Sequence, residues 1–214
     1  MRILVTAGPT REYIDDVRFI SNPSSGRMGY AVAAEAARRG HEVRLLSGPV
    51  CLEPPGGVEV ERFEGVEELY RLASAALADS DCLVMAAAVG DCRPKERFHG
   101  KRRKGGPFKL IMMPTRDVLL ALASEKGERI FVGFAVESEN TFERAEEKLR
   151  RKSLDLLVLN TPESFGADSA RFSLLSAGGR CESLGLISKA KLAGLICERV
   201  ERLFGHRAQG QPSI

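Results

Sequence analysis

The sequence has no tryptophan, three tyrosines, three histidines and five cysteines in 214 residues. The cysteines (Cys51, Cys82, Cys92, Cys181, Cys197) are odd in number and contain no Cys-x-x-Cys pair, which argues against a disulfide frame and a thiolate zinc site. They are read as reduced packing residues of a cytoplasmic protein. His41, His99 and His206 show no metal-ligand spacing and read as surface or loop residues. No apolar run reaches the roughly 18 residues that span a bilayer, and Met1–Ala7 lacks a signal peptide's basic start and cleavage site. Excess charge is also lacking: a net +3 does not by itself imply a polyanionic partner. Scarce aromatic rings leave little for stacking on nucleic-acid bases. Tyr13, Tyr30 and Tyr70 are followed four positions on by Val17, Ala34 and Ser74, so the Tyr-x-x-x-Lys pair common in NAD(P)-dependent epimerases and reductases is missing.

What is present is an alternation of strand and helix patterns. Arg2–Thr6 reads as a strand, and an Ala-rich helix runs from about Ser24 to Arg39, ended by Gly40. Strands are expected at Glu42–Leu46, Val58–Phe63, Cys82–Ala88, Phe108–Met113, Ile130–Ala135 and Leu154–Leu159. Helices are expected at Val66–Ala78, Thr115–Lys126 and Asn140–Lys152, with Met112 and Met113 in the core. Arg171–Leu184 reads as a hairpin turning at Gly178-Gly179, and Ser188 caps a last helix to about Phe204. This order implies an α/β fold, a Rossmann-like, mostly parallel sheet with helices on both faces and a small C-terminal hairpin. One nucleotide-binding domain is expected over residues 1–206, with 207–214 as a flexible tail. Ligands of such sheets sit at the carboxyl ends of the strands.

The first site candidate follows strand one. Fifteen irregular residues separate Gly8 from Ser24-Ser25-Gly26-Arg27-Met28-Gly29, which opens the helix. Hydroxyls and glycines at a helix N-terminus suit an anion, because N–H groups point outward and the dipole is positive there. They equally suit an ordinary cap with a tight helix–sheet contact, and this segment alone does not choose. The preceding loop adds weight to the first reading, since Arg11, Asp15, Asp16, Arg18 and Asn22 crowd beside it and long polar loops in compact domains are usually functional or disordered.

Two further features carry charge. Seven basic residues occur in the twelve positions from Arg93 to Lys104, punctuated by glycines, which suits a mobile lid over phosphates; a solvated loop or a nucleic-acid contact has the same composition. In the helix over 140–152, Phe142, Ala145 and Leu149 form the expected buried stripe. Arg144, Lys148 and Lys152 stack at i, i+4 spacing, a repulsion of roughly 0.2–0.5 kcal/mol per pair that a bound triphosphate would offset. Glu147 is placed to pair with Arg151.

Thr6-Ala7-Gly8-Pro9-Thr10-Arg11-Glu12 and Ile14 to Gly29, with Ala86-Ala87-Ala88-Val89-Gly90-Asp91, Lys101-Arg102-Arg103-Lys104, Val132 to Glu137 and Lys148 to Asn160, resemble the phosphopantothenate–cysteine ligase family over essentially the whole chain. The resemblance implies that Asn22, with Arg18 nearby, contacts the acyl intermediate. It implies that Gly8, Ser24, Gly26 and Gly29 line nucleotide phosphates, and that Ala87, Ala88 and Asp91 hold substrate and nucleotide. Lys101 corresponds to the family's catalytic lysine, and Phe134, Lys148, Lys152 and Asn160 to nucleotide contacts. The family's Asn-Pro-Asp-Ile segment appears as Thr115-Arg116-Asp117-Val118, where only Asp117 is unchanged.

The implied reaction joins 4'-phosphopantothenate to L-cysteine through an acyl nucleotidylate, acyl-CMP, with CTP favoured over ATP and Mg²⁺ accompanying the triphosphate. Metal ligands are not assigned. A homodimer, no flavin, no membrane or nucleic-acid partner, and a separate decarboxylase protein are the remaining expectations. The rival readings are an NAD(P)-binding epimerase or reductase and a nucleic-acid-binding module built on the 93–104 loop.

Overall fold

The structure is a computed structural model that describes residues 1–136, 141–164 and 166–209. Strand β1 (Arg2–Ala7) is buried along nearly its whole length, the apolar run expected of a strand covered on both faces. A short hairpin, β2 (Arg11–Tyr13) and β3 (Phe19–Ser21), leads to α1 (Arg27–Arg38). β4 (Glu42–Ser47), β5 (Val58–Arg62), α2 (Val66–Leu77) and β6 (Cys82–Met85) follow. A second small hairpin joins β7 (Cys92–Pro94) to β8 (Met112–Pro114). Then come α3 (Val118–Ala123), β9 (Ile130–Val136), α4 (Thr141–Arg151), β10 (Leu156–Asn160), β11 (Ser169–Ser176), β12 (Cys181–Ser188) and α5 (Lys189–Ala208).

The main sheet has eight strands in the order β12-β11-β10-β9-β6-β1-β4-β5. The run from β10 to β5 is parallel throughout, and succession reverses direction between β1 and β6, the switch point where ligands of doubly wound sheets bind. The expected C-terminal hairpin is β11–β12, which adds to the sheet edge through antiparallel pairing with β10. Because strand side chains alternate, Ile3, Val5 and Ala7 enter one core with α1 and α5, while Leu4 enters the other with α2, α3 and α4.

Several boundaries differ from expectation for identifiable reasons. β6 stops at Met85, and Ala86–Ala88 turn away to form a wall of the site described below. Of Phe108–Met113 only the end pairs, and with β7 rather than the main sheet; Met113 is accordingly exposed. α3 starts only after Asp117, whose carboxylate accepts a hydrogen bond from Leu120 N–H at 3.2 Å as its N-cap. α5 runs past Phe204 to Ala208, so Arg207 belongs to the fold and not to a tail. Its guanidinium pairs with the buried carboxylate of Asp155, which also receives Lys126 at 2.9 Å. Residues 210–214, the rest of the expected tail, lie outside the described residues.

Helix α1 lies unusually close to β1. A Cβ on Gly29 would sit 2.5 Å from the Ala7 Cβ and 2.7 Å from the Thr6 carbonyl oxygen. Backbone on one side and a strand on the other leave no flexible atom to yield. Gly29→Ala should therefore lower unfolding stability by about 1–3 kcal/mol, measured by urea denaturation.

Candidate active site

A cavity of about 460 Å³ opens at the carboxyl ends of β6, β9 and β10, against the N-terminus of α1. Asn22, Ser24, Gly26, Ala87, Ala88, Asp91, Asp117, Phe134, Lys148, Lys152 and Asn160, separated widely in the chain, all line it. Hydrogen bonds between the segments leaving β1 and β6 build its near wall. Thr6 Oγ1 accepts Ala87 N–H at 3.1 Å, and the buried Thr10 Oγ1 accepts Gly90 N–H at 2.9 Å. Ala88 N–H donates to the Gly8 carbonyl at 2.9 Å, and the Ala88 carbonyl accepts Thr10 N–H at 3.2 Å. Asn22 Nδ2 donates to that same carbonyl at 3.2 Å, which orients its amide and leaves its second N–H for a ligand.

Helix α1 presents its positive end here. Its N-cap is Gly26 at φ 76°, no side chain caps it and its first turn has no acidic residue, so several N–H donors lack intrahelical partners. Gly8 and Gly29, expected among the phosphate contacts, do not line the cavity. Gly8 has φ +80°, and a Cβ there would stand 3.0 Å from Val50 Cγ1. Close approach between backbone segments requires glycine just as phosphate contact does, which is why the motif reads ambiguously.

The opposite wall is cationic and partly neutralised. Lys152 Nζ lies 2.8 Å from Asp117 Oδ1, and Arg151 reaches the other carboxylate oxygen at 3.7 Å. Asp117 thus caps α3 and holds Lys152 in the cavity wall. Ala145 and Leu149 are buried on α4, whereas Phe142 is 44% exposed. The expected Glu147–Arg151 pair is replaced by Arg151–Asp117 and by Glu146–Arg150 at 3.6 Å.

The basic segment is fastened to the β2–β3 turn. Asp15 is buried; its carboxylate accepts N–H groups of Val17 (2.8 Å), Arg18 (2.7 Å) and Arg102 (3.2 Å), and Arg18 Nη1 at 3.2 Å. Asp16 accepts Gly100 N–H at 2.6 Å and Arg97 Nη2 at 2.9 Å. Arg97 also stacks over Tyr13, and Arg102 over Phe108. Arg18 and Lys101, named as catalytic candidates, therefore do not line the cavity. Arg18 serves Asp15 and the Arg102 carbonyl, and Lys101 stands exposed between two pinned residues. Asp15 and Asp16, expected beside a phosphate, act as the clasp of this strap.

Sequence reasoning missed Arg27, Thr115, Ser164, Phe172 and Lys189, which also line the cavity. For Lys189 the only available signal was topological: β12 runs parallel to β10, so α5 must begin at the carboxyl edge. Asn160 Nδ2 donates to Ser164 Oγ at 2.6 Å, while its Oδ1 is shielded and has no partner. Leaving a buried acceptor unpaired costs about 1–3 kcal/mol, which a ligand donor would offset. Among the described residues no three His, Cys, Asp or Glu groups gather as a metal site. Of the cavity carboxylates Asp91 and Asp117, the second is already committed to Lys152. Cys82 and Cys197 are buried as expected, and burial pushes the Cys197 thiol up to about 12. Cys51, Cys92 and Cys181 are exposed instead. His41 is also more enclosed than expected, packed 2.9 Å from Glu201.

A model of the DNA/pantothenate metabolism flavoprotein C-terminal domain family, DFP, matches residues 1–203. The chain belongs to this family. Its DFP relatives include the coenzyme A biosynthesis bifunctional protein CoaBC of Bacillus subtilis (strain 168), 37% identical over 209 residues, 94% of this chain and 51% of that protein. The protein of the same name from Mycobacterium tuberculosis (strain ATCC 25618 / H37Rv) is 40% identical over 215 residues, 93% of this chain and 51% of that one. The DFP chain thus spans about half the length of the curated relatives it matches. The crystal structure of the C-terminal domain of coenzyme A biosynthesis bifunctional protein CoaBC superposes with a TM-score of 0.84 at 35% identity, covering 95% of each chain. No described helix of this DFP chain is long and apolar enough to cross a membrane.

The Asp15 clasp has a pH signature. Burial raises its pKa, but the Val17, Arg18 and Arg102 N–H groups outweigh that and hold it below the usual value. A depressed carboxylate stabilises above its unfolded pKa of about 3.9 and loses that contribution as pH falls through the folded value. Asp15→Asn should loosen the strap at neutral pH and flatten the acid limb of stability. Amide exchange at 98–102 across pH 2–6 checks this: exchange should be faster in the variant at pH 6 and remain so below pH 4, the two proteins converging only as Asp15 protonates at its depressed folded value.

Proposed function

We propose that the chain is a phosphopantothenate–cysteine ligase that forms phosphopantothenoylcysteine from 4'-phosphopantothenate, L-cysteine and CTP. The observation that carries the reading is one cavity bringing Asn22, Ala87 and Ala88 together with Phe134, Asp117, Lys148 and Lys152, beside the open N-terminus of α1. Membership of the DFP family and the part its bifunctional relatives play in coenzyme A biosynthesis support it. Among the described residues no three His, Cys, Asp or Glu side chains gather as a metal site, and Mg²⁺ would enter on the oxygens of the triphosphate itself.

In the first half-reaction the substrate carboxylate attacks the α-phosphorus, and the α–β phosphoanhydride breaks to release pyrophosphate. In the second, the cysteine amine attacks the acyl carbon, the acyl–phosphate bond breaks, and the amine gives up its proton as CMP leaves. No side-chain nucleophile is needed. Positioning, charge neutralisation and exclusion of water supply the acceleration. Asn22, oriented through Ala88, donates its second N–H where negative charge grows on the acyl oxygen. Lys148 and Lys152 hold the nucleotide. Lys101 stands outside the cavity wall, so its proposed role, neutralising the α-phosphate, requires the strap to release from the Asp15–Asp16 clasp and close over the bound nucleotide.

A homodimer in the cytoplasm completes the proposal. Its support is that Val17, Phe19, Phe98, Phe108, Ile111 and Met113, all large exposed apolar residues, lie on the two small hairpins and the strap. Exposed large apolar residues gathered on neighbouring segments suit an association face.

Purified protein with 4'-phosphopantothenate, L-cysteine, Mg²⁺ and CTP should yield product, pyrophosphate and CMP in equal amounts, with ATP serving less well. Release of a diphosphate would instead mean acyl-phosphate chemistry. Lys101→Gln should lower turnover about 10²–10³-fold in a folded protein. Near-normal turnover would transfer the role to Lys104. Asn22→Ala should release a burst of pyrophosphate but form product slowly; equal slowing of both steps would reduce Asn22 to a binding residue.

A further inference from the structure

The cavity straddles the carboxyl edge of the sheet, so its cations come from opposite faces. Lys148 on α4 and Lys152 just past its C-terminus line it on the side of the core shared with α2 and α3. Arg27 and Lys189 rise from the first positions of α1 and α5, which pack together on the other side. The two pairs differ in what already neutralises them. Lys152 has Asp117 at 2.8 Å. Lys189 donates to the Ser164 carbonyl at 3.1 Å, and among the described residues it has no carboxylate within ion-pair distance.

Lys189 is half-buried, and its nearest charges do not cancel. Burial, then the charge of Arg27, lowers its pKa, with only Asp168 acting the other way. Asp168 is itself engaged by Arg27 Nη1 at 2.6 Å and is largely exposed. Arg27 also donates to the Gly166 carbonyl at 3.4 Å. Enclosing an ammonium without a counter-anion is costly, and here a second cation and the uncapped end of α1 add positive potential. Ser164 links Lys189 to Asn160, whose Oδ1 lacks a partner in the same wall. An anionic group with a neighbouring donor would balance the Lys189 charge and pair with Asn160 Oδ1 at once.

We infer that Lys189 and Arg27, with the N-terminus of α1, form a second phosphate subsite on the α1–α5 side of the cavity, opposite Lys148 and Lys152. It takes a phosphate group of a reaction partner, either the monoester of the acyl substrate or the terminal phosphates of the nucleotide. The inference deepens the ligase reading and rests on it for the identity of those partners. Lys189 is assigned as a binding and specificity residue, since no bond made or broken needs it.

The test is Lys189→Ala and Lys189→Arg, with the Ser188 cap kept, compared with the unaltered protein. Lys189→Ala should raise one KM at least tenfold while kcat stays within about threefold, and Lys189→Arg should restore most of it. A rise confined to 4'-phosphopantothenate identifies the monoester as the occupant; a rise confined to CTP identifies the terminal phosphates. Unchanged KM for both in an active enzyme overturns the subsite, as does an equal loss for both accompanied by a lower Tm. Calorimetric titration with inorganic phosphate and with pyrophosphate supplies an arm that needs no turnover. Weaker binding in Lys189→Ala supports the subsite even if no ligase activity is found, which would sink only the ligase reading. Equal binding of both anions in the two proteins overturns it.

Discussion

The cavity exists because the segments leaving β1 and β6 are tied to each other at the point where strand succession reverses. Pro9 and Ala88 continue the parallel pairing beyond the strand ends as an isolated bridge. Thr6 and Thr10 satisfy the N–H groups of Ala87 and Gly90. Without those bonds the partly buried amides of Ala87 and Gly90 would lose their partners, a cost that would favour another course for the chain. With them, Ala87, Ala88 and Asp91 face α1 across a fixed gap, and Asn22 takes its orientation from the Ala88 carbonyl.

Glycine serves two different masters around this junction. Gly26 allows α1 to begin with its donors uncapped toward the cavity. Gly29 lets the same helix lie directly on β1, and Gly8 lets the chain turn beside Val50. These placements are coupled: the helix end reaches the strand ends only because the helix body is so close to the sheet. A phosphate-binding motif and a tight helix–strand contact therefore share one run of residues.

Charge is distributed with the same economy of position. Asp15 and Asp16 bind backbone N–H groups across more than eighty residues of sequence and hold the basic strap against the β2–β3 turn. Asp117 joins the N-terminus of α3 to Lys152. Asp155, at the other edge of the sheet, joins Lys126 and Arg207. In each case one carboxylate ties together elements distant in the chain. Lys189 is the contrast: it enters the cavity wall with a carbonyl as its hydrogen-bond partner and no carboxylate at ion-pair distance among the described residues.

The order of most strands and helices, the two-sided burial of the sheet and part of the cavity lining could be read from the chain itself. Period-two and helical apolar patterns are local, and the Ser-Ser-Gly and Ala-Ala-Ala segments are contiguous, so both survive in one dimension. Asn22, Ser24 and Gly26 were reached from the loop and helix start after β1, and Asp91, Phe134 and Asn160 only through the resemblance to a ligase family; all line the cavity. The tertiary structure decided what depends on pairing between distant segments. Arg18 and Lys101 were drawn away from the cavity by Asp15 and its neighbours, because hydrogen-bond partners eighty residues apart leave no spacing pattern. Arg27 and Lys189 were brought together because α1 and α5 pack on one face and begin at one edge. Composition and periodicity specify which elements form, whereas the meeting of two helix ends is a property of the packed sheet alone.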